Sequence, residues 1–101
     1  SLLWRLDKLA KTLRDETPHL KMLPSEYFRR QVWLTTQTME EPIKREQVLD
    51  TIDWIGWDKL LFATDYPHWD NDMPGQSLRG LPAADRQKIF WDNAANLFRM
   101  R

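Results

Sequence analysis

Leu2, Leu6, Leu9 and Leu13 recur every three or four residues and share a stripe of about 60° on a helix, with Arg5, Lys8, Lys11 and Asp15 off it. The pattern predicts an amphipathic surface helix over residues 2–16, packed by its leucine face and ended by Pro18. Pro24-Ser25-Glu26 reads as a capped turn of helix reaching about residue 29. The β-branched and aromatic residues of Gln31-Val32-Trp33-Leu34-Thr35-Thr36 then predict a strand. Between residues 44 and 55, Val48, Ile52 and Ile55 line one helical face with Leu49 beside them, and Gly56 supplies the stop. Residues 59–64, Lys-Leu-Leu-Phe-Ala-Thr, form a nearly unbroken apolar run, which suits a parallel strand buried on both faces. A polar loop over residues 66–81 precedes Pro82, which is placed to open a helix to about residue 91, and a short last helix is predicted near residues 94–98.

The predicted order is helix, strand, helix, strand, helix. Helical crossovers between strands imply two parallel neighbours and an α/β fold. Two parallel strands alone leave both sheet edges open, so residues 1–101 read as a single partial domain that needs more chain, or another copy of itself, to be complete. The start Ser-Leu-Leu-Trp-Arg reads as mid-protein sequence, with no signal-peptide core. The balance of 15 Lys+Arg against 15 Asp+Glu leaves no basic surplus for phosphates, so nucleic acid is not expected as a partner. No apolar run approaches the roughly 18 residues of a membrane span, so no membrane partner is expected. The absence of cysteine removes disulfide and thiolate-metal chemistry and permits a reducing, cytoplasmic setting.

Candidate chemistry concentrates in Leu60-Leu61-Phe62-Ala63-Thr64-Asp65-Tyr66-Pro67-His68-Trp69-Asp70. An apolar strand delivers the Asp65 carboxylate and, three residues later, the His68 imidazole into a loop, at the strand end where parallel barrels build their sites. Asp65 there is placed to ligate a divalent cation or accept a proton, or else to cap the loop backbone. His68 and Trp69 are substrate-pocket candidates at the rim. The alternatives are a structural hydrogen bond for His68 and a role pinning the loop for Trp69. His19, between Pro18 and Leu20, reads as an ordinary loop residue. Asp70-Asn71-Asp72 superficially suggests a calcium loop, but the position that should hold the closing glutamate is Leu81, so these acids read as solvated.

Thr64-Asp65-Tyr66-Pro67-His68 resembles the end of the eighth barrel strand in the amidohydrolase-related family, which includes enzymes of the aminocarboxymuconate-semialdehyde decarboxylase type. Asn93-Ala94-Ala95-Asn96-Leu97-Phe98 resembles that family's terminal Asn-Ala-x-x-Leu-Phe segment, in which the simplest part for Asn93 is to start the last helical turn. Pro24-Ser25-Glu26-Tyr27-Phe28, with Val32-Trp33-Leu34-Thr35 after it, resembles the approach to the seventh strand. The resemblance implies the C-terminal part of a (β/α)8 TIM barrel, a fold that needs about 200 residues or more. It implies a divalent metal, usually zinc, and maps Asp65 onto the metal-site aspartate. The family's His-x-His pair and middle-strand histidines have no counterpart here, so no metal is expected on this chain alone.

Three readings follow. The first is a metal-dependent hydrolase of amide, ester or lactone bonds in a small-molecule substrate, acting only in the full barrel. The second is a non-oxidative decarboxylase of the same family, and the third is a non-catalytic partial barrel that self-associates.

Overall fold

The computed structural model describes residues 2–37, 39, 42–76 and 78–100. The chain divides into two compact units, one reaching Val32 and the other beginning at Trp33.

In the first unit, α1 (Leu2–Thr12) packs against α2 (Pro24–Gln31). The predicted first helix is shortened, because the chain tightens into a 3₁₀ turn at Arg14–Glu16. Thr17 leaves the helical region (φ −125°, ψ 49°), as expected for a residue whose backbone is crowded by the following Pro18. Helix α2 begins at Pro24, where a missing N–H costs nothing, and the Glu26 carboxylate accepts the Leu23 N–H at 2.7 Å. The Asp7 carboxylate, from α1, accepts the Ser25 N–H at 2.8 Å and so satisfies an orphan donor of α2 from another helix. The leucine stripe is not covered within the unit: Leu6, the most protected of the four, is still 38% exposed.

In the second unit, β1 (Leu34–Thr35) and β2 (Leu60–Leu61) pair in parallel, Leu34 opposite Leu60 and Thr35 opposite Leu61. Helix α3 (Arg45–Ile55) is the crossover. It ends at Gly56, whose φ of +107° admits glycine readily and whose N–H closes on the Ile52 carbonyl at 2.8 Å. Both strands are shorter than their apolar runs. At the start, α2 takes Gln31 and Val32 is its C-cap, so β1 cannot begin there. Beyond Leu61 a side chain replaces the backbone ladder: the buried Thr36 hydroxyl accepts the Ala63 N–H at 3.1 Å and donates to the Ala63 carbonyl at 3.3 Å.

The chain returns through α4 (Ala83–Gln87), a π-helical segment (Lys88–Asp92) and α5 (Asn93–Leu97), one continuous run where two separate helices were predicted. The core is Ile52 from α3, Leu60 from β2, Leu81 and Ile89, with Val48, Leu49, Leu34 and Phe62 packed against it. Thus the predicted α3 face is the buried one.

The π segment has a local purpose. Its wider turn sends the Asn93 N–H to the Lys88 carbonyl, five residues back, and leaves the Ile89 carbonyl free to accept the Phe62 N–H at 3.1 Å. The Asn93 side chain, 5% exposed, donates through Nδ2 to the Trp57 carbonyl at 2.7 Å and the Leu60 carbonyl at 2.8 Å. Helix α5 does open at Asn93, as the motif suggested, but its side chain caps no helix and instead clamps β2. The Lys59 and Leu61 carbonyls bond to β1 through Leu34 N–H and Thr36 N–H, so by strand alternation the Leu60 carbonyl and Phe62 N–H lie on the opposite edge. Both of those groups are taken by the C-terminal helix.

Candidate active site

Four residues beyond β2, Asp65 turns the chain with φ +57°, a left-handed conformation that aspartate tolerates better than most residues. The loop that follows is tied to itself: His68 N–H donates to the Asp65 carbonyl at 2.8 Å, and Asp72 N–H to the Thr64 carbonyl at 2.9 Å. Asn71 bonds the His68 carbonyl twice, from its backbone N–H at 3.2 Å and from Nδ2 at 2.7 Å. A tether also arrives from the other strand, where Gln37, two residues past β1, donates Nε2 to the Asp70 carbonyl at 2.9 Å.

This wiring brings Asp65, His68 and Asp70 together, with one donor atom of each within 4.8 Å of the others. His68 Nδ1 lies 2.9 Å from Asp70 Oδ1 and 3.8 Å from Asp65 Oδ2, so the first contact is a hydrogen bond and the second only an electrostatic neighbour. The hydrogen bond to Asp70 raises the His68 pKa, and the Asp65 and Asp70 charges add to it. The same bond lowers that of Asp70. The group is open to solvent, with the Asp65 and His68 side chains 52% and 62% exposed.

Of the candidates read from the sequence, Asp65 and His68 are therefore neighbours. Trp69 is 89% exposed beside them, and Tyr66 is exposed too. Two participants were missed. Asp70 was read as a solvated acid and is the hydrogen-bond partner of His68, which the His-x-Asp spacing in a turn would have suggested; Gln37 had no local signal at all.

The donor set, carboxylate oxygens and one imidazole nitrogen, is chemically suited to a divalent cation such as zinc or manganese. Asp65 fits that role best, because its carboxylate accepts no hydrogen bond within 3.5 Å from any described residue.

The chain belongs to the Amidohydrolase family, which residues 7–100 match. It is 31% identical to γ-resorcylate decarboxylase of Polaromonas sp. strain JS666, over 97% of this chain and 30% of that protein. Among solved structures it resembles 5-carboxyvanillate decarboxylase from Sphingomonas paucimobilis, at 29% identity and a TM-score of 0.73, over 98% of this chain and 30% of that one. It also resembles a dihydroxybenzoic acid decarboxylase from Polaromonas sp. JS666, solved with bound manganese and the inhibitor 2-nitroresorcinol. That match has 27% identity and a TM-score of 0.62, over 97% of this chain and 30% of that one. The chain thus spans about 30% of the length of each of these relatives.

Among the described residues, no helix is long and apolar enough to cross a membrane.

Proposed function

We propose that this chain is the C-terminal part of a (β/α)8 barrel decarboxylase that acts on a hydroxylated aromatic acid. Asp65 is its catalytic and metal-facing carboxylate, and His68 and Trp69 stand at the substrate pocket. The observation that carries the reading is the convergence of Asp65 and His68 just beyond a parallel strand, the end at which barrel enzymes assemble their chemistry. The names of all three relatives favour decarboxylation over the hydrolysis that the family resemblance first suggested.

Aromatic decarboxylation exchanges a carboxylate for hydrogen. A proton adds to the ring carbon that bears the carboxylate, the bond to the carboxylate carbon breaks, its electron pair restores the ring, and carbon dioxide leaves. Asp65 is the carboxyl group of this chain placed to hold and move that proton. When bound, a divalent cation supplies Lewis-acid stabilisation of substrate oxygens, and Asp65 is the residue of this chain that would hold it, alongside the further ligands a catalytic metal requires. His68 hydrogen-bonds a ring hydroxyl, and the Trp69 ring offers an apolar face to the substrate.

The test is to supply the complete protein with γ-resorcylate and 5-carboxyvanillate, and separately with lactone, ester and amide substrates, and to follow carbon dioxide release and hydrolysis. Carbon dioxide from an aromatic acid is expected. Hydrolysis without carbon dioxide release from either acid overturns the reading and restores the hydrolase alternative.

A further inference from the structure

The three donors near β2 look interchangeable by distance alone, yet their hydrogen-bonding capacities differ. An ionised carboxylate only accepts, so the hydrogen in the 2.9 Å contact between His68 Nδ1 and Asp70 Oδ1 belongs to Nδ1. In the neutral ring the lone pair is then on Nε2, which has no hydrogen-bond partner among the described residues. Both members of the pair are held independently of that bond, Asp70 by Gln37 through its backbone carbonyl and His68 by Asn71 through its own.

We propose that Asp70 is a positioning residue: it fixes His68 in the tautomer with hydrogen on Nδ1, so that Nε2 is presented as a bare acceptor to the hydroxyl group of an aromatic substrate. The identity of the hydroxyl donor rests on the decarboxylase reading; the tautomer does not. One consequence concerns metal binding. Nδ1 cannot ligate a cation while it carries the hydrogen shared with Asp70, so Asp65 and Nδ1 of His68 do not chelate one ion together.

The experiment uses the complete protein with ¹⁵N-labelled histidine, the His68 ring signals being assigned by their loss in His68→Gln. Long-range ¹H–¹⁵N correlation spectra taken at about pH 9, where imidazole is neutral, report which ring nitrogen bears hydrogen. The expected pattern is hydrogen on Nδ1. In Asp70→Ala the ring should redistribute toward hydrogen on Nε2, and in the near-isosteric Asp70→Asn, whose amide can donate to Nδ1, it should do so as well. With γ-resorcylate and the complete protein, both variants should lower kcat by roughly 10- to 100-fold while KM changes far less. Hydrogen on Nε2 in the parent protein, or the same tautomer with and without Asp70, overturns the proposal. If the parent spectrum shows the expected tautomer but no phenolic acid releases carbon dioxide, the decarboxylase reading fails and the Asp70–His68 assignment stands.

Discussion

Replacing Asn93 by alanine removes the donor of two hydrogen bonds whose acceptors are both backbone carbonyls of the segment that leads into β2. The Leu60 carbonyl lies in buried surroundings, so leaving it unpaired costs about 1–3 kcal/mol. The Trp57 carbonyl is only partly buried and can recover water, so its share is about 0.5–1.5 kcal/mol. The sum, about 1.5–4.5 kcal/mol, should lower Tm by about 6 °C or more for a domain of this size. Urea and thermal unfolding, followed by far-ultraviolet circular dichroism, measure it. Asn93→Asp sharpens the test, because aspartate starts helices as well as asparagine does but turns a donor into an acceptor facing two carbonyls. The clamp therefore predicts Asp worse than Ala at neutral pH, whereas a helix-start role predicts that Asp preserves stability. An Asn93→Ala loss within about 0.5 kcal/mol of zero, or stability retained by Asn93→Asp, refutes the reasoning.

Ile89→Ala should cost about 2–5 kcal/mol, because Ile89 is fully buried between β2 and α3, and Ile89→Val only about 0.5–1.5 kcal/mol; denaturant midpoints distinguish the two. Asp65→Asn in the complete protein should lower turnover at least ~10²-fold, and near-normal carbon dioxide release by that variant removes Asp65 from the chemistry. The Asp7 carboxyl is held below the usual range by hydrogen bonds from the Ser25 hydroxyl and amide. A carboxyl lowered on folding stabilises the native state above the unfolded value of about 4 and loses that contribution as pH falls through the folded value. Exchange protection of the Ser25 amide should thus be higher in the parent than in Asp7→Ala at neutral pH and converge with it in acid. Because Leu2, Leu6, Leu9 and Leu13 are uncovered within their unit, the isolated 101-residue chain should self-associate at micromolar concentration. Light scattering should show a smaller mass for Leu6→Glu with Leu9→Glu.

What was legible in the sequence was whatever a short window encodes. The order of elements, the parallel pairing, the buried face of α3 and the placement of Asp65 after an apolar strand all follow from periodicity and run length. What was not legible depends on bonds between residues far apart in the chain. Thr36 closes the ladder against Ala63, Asn93 clamps Trp57 and Leu60, and Gln37 holds Asp70, with separations of 27 to 36 residues. Each of these is a polar side chain that local rules assign to a turn, a cap or solvent. The strand lengths were misjudged for the same reason, because a run of β-formers does not show where a threonine hydroxyl will replace the next backbone bond. Asp70 lies on the boundary between the two cases: its partner is two residues away, but the turn that joins them is shaped partly by Gln37.

The helical seal along the outer edge of β2 changes what it means for this piece of chain to meet another strand. An open edge invites simple addition, in which a newcomer gains hydrogen bonds at groups that previously faced water. Here the Leu60 carbonyl and Phe62 N–H are already engaged by Asn93 and Ile89. A strand arriving along this side must evict both bonds and return an equivalent pair, so the hydrogen-bonding gain nearly cancels. Joining becomes an exchange of partners, and the driving force has to come from the apolar surface covered alongside. The seal therefore works as a gatekeeper against indiscriminate strand pairing, admitting a neighbour only when its side chains fit.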